Sequence, residues 1–126
     1  MTTSRIVERP KISSVMAGFC VRDMKVALEF YTVKLGFQVA FKNNDVFVIV
    51  SRDGVEISLA LDRSGARAGK GGCYLKVKAI EAIYEELTGN GVEMTHPLKT
   101  ESYRMKEFMI IDPDGNTLNF GEPVGA

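Results

Sequence analysis

Residues 110–120, IIDPDGNTLNF, are two apolar strand arms joined by a turn of Asp112, Pro113, Asp114, Gly115 and Asn116. Proline presets a turn-compatible φ, and the Asp-Gly step supplies the reversal that a hairpin needs. An echo stands earlier in the chain, where DVFVIVS, an Arg-Asp-Gly turn and VEISLAL occupy residues 45–61. An offset of 61 carries Phe47, Asp53-Gly54 and Ser58 onto Phe108, Asp114-Gly115 and Asn119. The two hairpins read as copies of one unit.

The elements before each hairpin repeat as well. SVMAGFCV is an apolar strand, and Asp23 can cap a helix, MKVALEFYTVKL, with Met24, Leu28, Tyr31 and Leu35 on one face. Gly36 stops that helix, and FQVAF follows as a strand. In the second half CYLKV is a strand, AIEAIYEELTGN a helix with Ile80, Ile83, Tyr84 and Leu87 inward, and VEMTH a strand before the hairpin. An offset of 56 carries Phe19, Val21 and Met24 onto Leu75, Val77 and Ile80. The pattern predicts an α+β fold of two tandem βαβββ units forming a curved mixed sheet around a concave cavity, with the helices outside. The units span about 14–63 and 72–122 within a single domain, 14–126. The polar residues 1–13, broken by Pro10, read as a flexible arm.

A unit of this size cannot bury both faces of its own sheet. One face takes the helix and the other stays open, so period-two alternation assigns the open face. In VEISLAL the open side is Glu56, Ser58 and Ala60, and in NTLNF it is Thr117 and Asn119. Met16, Gly18 and Cys20 lie opposite the inward Phe19 and Val21, and Gly72, Tyr74 and Lys76 lie opposite Leu75 and Val77.

Composition narrows the partners. Sixteen basic residues balance sixteen acidic ones, so no net positive field gathers phosphates, and nucleic acid is not an expected partner. Residues 1–14 lack the apolar core of a signal peptide, and no run approaches the roughly 20 apolar residues of a membrane span. A cytoplasmic protein is expected. Cys20 and Cys73 form no CxxC pair and read as reduced thiols.

FCVRDMKVALEFYTVKLGFQV followed by DPDGNTLNFGEP resembles the vicinal oxygen chelate superfamily, which includes glyoxalase I, extradiol dioxygenases, fosfomycin-resistance enzymes and bleomycin-resistance proteins. The resemblance covers residues 14–123. It implies four metal-ligand positions, commonly two histidines and two glutamates, which fall here on Met16, Ser58, Gly72 and Asn119. None of these four is an imidazole or a carboxylate. The lone histidine, His96, falls beyond the third strand of the second half. No metal and no cofactor are therefore expected.

The resemblance then points to the metal-free, bleomycin-resistance-like branch. It implies a cytoplasmic homodimer that sequesters an aromatic or mixed-polarity small molecule, an antibiotic among the options, without catalysis. Met16, Cys20, Ser58, Tyr74, Lys76, Tyr103, Met105 and Asn119 are the candidate ligand-binding residues. The chain's formal charge of zero speaks against the strongly cationic drug itself. The alternative is a lyase, isomerase or dioxygenase of the same superfamily, using shifted ligands or carboxylate acid–base catalysis by Glu56, Glu101 or Glu107.

Overall fold

The computed structural model describes residues 8–125. Its elements run β1 (Ala17–Val21), α1 (Met24–Glu29), β2 (Gln38–Asn43), β3 (Phe47–Arg52), β4 (Val55–Leu61), β5 (Gly72–Lys76), α2 (Ile80–Gly89), β6 (His96–Thr100), β7 (Met105–Ile111) and β8 (Thr117–Pro123). Two βαβββ units result, as the repeat requires. Each unit keeps its own four-stranded mixed sheet, in the orders β1-β4-β3-β2 (sheet A) and β5-β8-β7-β6 (sheet B). The first strand of each unit pairs parallel with its last, and the other pairs are antiparallel. The two sheets do not close over one another within the chain. Residues 8–16 carry no regular structure, and Ile12 and Val15 there are almost fully exposed.

Alternation sorts the faces as expected. Phe19, Val21, Val48, Val50, Ile57 and Leu59 of sheet A and Phe108, Ile110, Leu118 and Phe120 of sheet B are buried under the helices. Asp23 caps α1 by accepting from the Val26 amide at 3.2 Å. Gly36 ends the helical run in the left-handed region, with φ of 75°.

Three local departures have physical causes. The helix predicted through Leu35 widens after Glu29 into a π-turned segment, Phe30–Lys34. There the Thr32 hydroxyl takes the Leu28 carbonyl at 2.6 Å, and the Leu35 amide reaches back five residues to Phe30. Helix α2 has no cap of its own, because Ala79 stands before it with φ of 56°. The carboxylate of Glu122, at the end of β8, accepts from the Ala79 and Ile80 amides instead, at 3.1 and 3.0 Å. The strand predicted at VEMTH begins only at His96 and runs to Thr100. Turn residues Asn90 and Gly91 and a loop take up residues 90–95.

A polar seam joins the units. Asp112 and Asn116 are the two buried polar residues among those described. Asp112 accepts from the Tyr31 hydroxyl of the first unit at 2.9 Å, and from the Asn116 amide, the Asn116 side chain and the Asp114 amide at 2.8–2.9 Å. The Asn116 side chain donates in turn to the Cys20 carbonyl at 3.1 Å, and its Oδ1 accepts from the Gly71 amide. Arg22 binds Asp114 through backbone and guanidinium at 3.0 and 3.3 Å. The connecting loop passes against this turn so closely that a Cβ at Gly69 would lie 1.9 Å from the Asp114 carbonyl oxygen. On the far side of the seam Arg52 grips Glu86 of α2 with two bonds of 2.9 and 2.8 Å while also capping the Leu35 carbonyl at 2.8 Å.

Tyr31→Phe removes one donor from the buried carboxylate and is expected to cost about 1.5–3 kcal/mol, seen as a lower urea midpoint at unchanged slope. Burial first, and then the Asp112 charge, push the Tyr31 phenol far above its ordinary value of 10.0. The folded state thus favours the protonated phenol. That contribution is complete below about pH 10 and is lost as pH rises past it. Stability above pH 10 should therefore fall less steeply in the phenylalanine variant than in the parent protein.

Candidate functional site

The eight candidate residues divide between the open faces of the two sheets. Met16 stands just before β1 and is 42% exposed, Cys20 pairs with Ala60 within sheet A, and Ser58 pairs with Gly18. Tyr74, Lys76, Tyr103, Met105 and Asn119 belong to sheet B or to the turn entering β7. Residues paired across a ladder share a face. The row His96, Met109, Asn119 and Tyr74 therefore crosses sheet B on its open side, and the row Lys99, Glu107, Gly121 and Lys76 lies beside it. His96 thus belongs to this face, not to a position beyond the strand.

The structure adds residues that the sequence reading passed over. On sheet A, Phe41 and Phe47 meet edge to face at 6.3 Å, with Ile49 beside them in the register. Phe41 is 52% exposed. On sheet B the centre is Glu107, named above only as a candidate acid–base carboxylate. It accepts from the Tyr74 hydroxyl at 2.6 Å and, through its other oxygen, from the Tyr103 hydroxyl. Tyr74 reaches it by lying across Gly121, where a Cβ would stand 1.8 Å from the phenol oxygen. The alternation of KEFMII, with Phe108 and Ile110 in the core, was the available signal for Glu107 and Met109.

The carried-over metal positions do not fit a metal. They present a thioether, a hydroxyl, no side chain and an amide, where nickel, zinc or iron require imidazole or carboxylate donors. At Gly72 the volume is already taken, because a Cβ there would meet Thr117 Oγ1 at 2.5 Å. Ser58 Oγ similarly stands 3.0 Å from the place of a Cβ on Gly18. Among the described residues no three His, Cys, Asp or Glu side chains gather as a metal site. His96 lies two strands from Asn119, roughly 10 Å at the usual strand spacing, and does not supply the missing donor.

A cavity of about 980 Å³ lies elsewhere, at the seam between the units. Leu35, Phe37, Ile57, Leu75, Ile83 and Phe120 give it apolar walls. Of the eight candidate binding residues Tyr74 and Lys76 line it, as do the acid Glu56 and Gly72. Cys73 also faces it, and burial pushes its thiol pKa up, the opposite of what a reactive thiolate needs. Both cysteines are free.

Repeated βαβββ units with open sheet faces define a fold class, and a family model identifies it. Residues 11–120 match the Glyoxalase/Bleomycin resistance protein/Dioxygenase superfamily, and the chain belongs to that family. A bleomycin resistance protein of Geobacillus stearothermophilus is 29% identical over 124 residues, covering 82% of this chain and 92% of the relative; its counterpart in Staphylococcus aureus matches equally. Among solved structures, a glyoxalase/bleomycin resistance protein from Catenulispora acidiphila superposes with a TM-score of 0.73 at 25% identity, covering 86% of this chain and 96% of that one. The bleomycin-binding protein of Streptomyces verticillus, solved with copper(II)-bleomycin, superposes at 0.78 with 21% identity, covering 94% and 100%. That last likeness is one of fold.

Hydrogen bonding to Glu107 raises the Tyr103 phenol to about 12, and desolvation together with Glu107 raises that of Tyr74 to about 12. Gly121→Ala should displace the Tyr74 ring and leave Tyr103 in place. Absorbance titration of the phenols should then show one group falling from about 12 toward the ordinary 10 and the other unmoved.

Proposed function

We propose that this protein binds a small organic molecule, aromatic or of mixed polarity, on the open faces of its sheets, and that it does so without a metal and without catalysis. The supporting observation is the make-up of those faces. Tyr74 at 44% and Tyr103 at 62% exposure stand with Met105, Met109 and Asn119 on sheet B, and Phe41 and Phe47 stand on sheet A. Large rings left in water beside amide and hydroxyl groups suit a ligand that stacks and accepts or donates a few hydrogen bonds. Met16, Cys20 and Ser58 would line the sheet A side, and Lys76 would offer a cation at the sheet B edge.

The names of the curated relatives favour sequestration of an antibiotic over turnover. The donor set at residues 16, 58, 72 and 119 supports metal independence. A homodimer is the assembly proposed, since pairing two chains would bring a sheet A face opposite a sheet B face and enclose the ligand. Among the described residues no helix is long and apolar enough to cross a membrane, and a cytoplasmic site of action remains part of the reading.

Calorimetry and thermal shift against a panel of aromatic antibiotics, before and after EDTA treatment, test this. A binder at a hundred times its Kd should stabilise the fold by about 2.7 kcal/mol, equally with and without chelator. Native mass spectrometry should give a dimer with no stoichiometric uptake of nickel, zinc, manganese or iron(II). One metal retained per chain, or binding abolished by EDTA, would refute the reading.

A further inference from the structure

Glu107 is half-buried on the open face of sheet B. Its carboxylate takes a phenol hydroxyl on each oxygen. The phenols come from separate elements, Tyr74 from β5 and Tyr103 from the turn before β7. Gly121 supplies the space that lets Tyr74 arrive. The result is a carboxylate held by a phenol hydroxyl on each oxygen, with a free lone pair left on each. Among the described residues none of the five ion pairs includes Glu107, although Lys99 stands opposite it across the β6–β7 ladder.

We propose that Tyr74, Glu107 and Tyr103 form a receptor for a protonated alkylamine carried by the ligand. This assignment rests on the reading of the open faces as the binding surface, and it names one chemical group of what binds there. An ammonium group bound at Glu107 donates to its remaining lone pairs, beside two phenols whose rings favour a nearby cation. The two phenol bonds hold the carboxylate ready, so little ordering is left for the ligand to impose. Lys99 and Lys76 occupy the same row of the sheet, one on each side. Their charges disfavour a second ammonium close to the first, which selects a monoamine over a polyamine. A cluster serving only to tie the turn at residues 101–104 to the sheet would show no preference for charge.

The test uses the whole protein with labelled tyrosine rings and asparagine side-chain amides, titrated by NMR with benzylamine and with its neutral isostere benzyl alcohol near pH 7.5. The expected result is a saturable shift of the Tyr74 and Tyr103 signals, with benzylamine at least tenfold tighter than the alcohol. Glu107→Gln keeps an oxygen acceptor but not the charge, and it should bring the amine down to the affinity of the alcohol. Tyr31 and Tyr84 signals, remote from the cluster, report that the variant is folded. The wild-type comparison stands without the variant. Equal affinity of amine and alcohol at Tyr74 and Tyr103, or a preference that survives in Glu107→Gln, overturns the ammonium assignment and leaves the open-face reading intact. No response of Tyr74, Tyr103 or the Asn119 side chain to either probe overturns both.

Discussion

The carboxylate of Asp112 is the point on which the two units are joined. It takes four hydrogen bonds in a buried setting, three from its own turn and one from Tyr31 in the other unit. A buried carboxylate without such partners would be several kcal/mol out of favour, roughly, so turn and helix are bound to one arrangement. The π-turned segment carrying Tyr31 and the reversal from Asp112 to Asn116 are two halves of one contact. The familiar-looking FY and DPDGN runs are thereby explained by architecture. They hold the scaffold, and the chemistry of the faces is free to differ.

That freedom is visible at the four positions where the superfamily pattern would place a metal. Thr117 fills the space beside Gly72, and Ser58 closes on Gly18, so neither glycine leaves room for a side chain. Tyr74 does the same over Gly121, two strand positions along from Gly72. Each of these glycines accommodates a neighbouring side chain that would otherwise collide with a Cβ.

The repeat made the order of elements and the sidedness of the strands legible in the sequence. Alternation in VEISLAL and NTLNF placed Ser58 and Asn119 on the open faces, and Asp23 and Gly36 marked the ends of the first helical run. What stayed hidden depends on partners distant in sequence. Glu122 caps α2 from 42 residues away in order, Arg52 reaches Glu86, and Glu107 gathers two phenols. No local spacing encodes such meetings. The shifted β6 was missed because an apolar run at VEM looked like a strand, although Gly91 and the loop after it delay pairing to His96. Strand periodicity says nothing about how two edges meet, so it was the structure that gave each unit its own four-stranded ladder.

The seam also bears on the order in which the chain assembles. Each hairpin is closed by neighbours in sequence, whereas Tyr31–Asp112, Arg22–Asp114 and Asn116–Cys20 span 81, 92 and 96 residues. Closing loops of that length costs entropy that hairpins do not face, so the units are expected to gain structure before the seam locks. Changes at the seam should then act on escape from the native state, speeding unfolding while leaving the folding limb of a chevron nearly unmoved. A seam variant that slowed folding instead would mean that the two halves are organised together from the start.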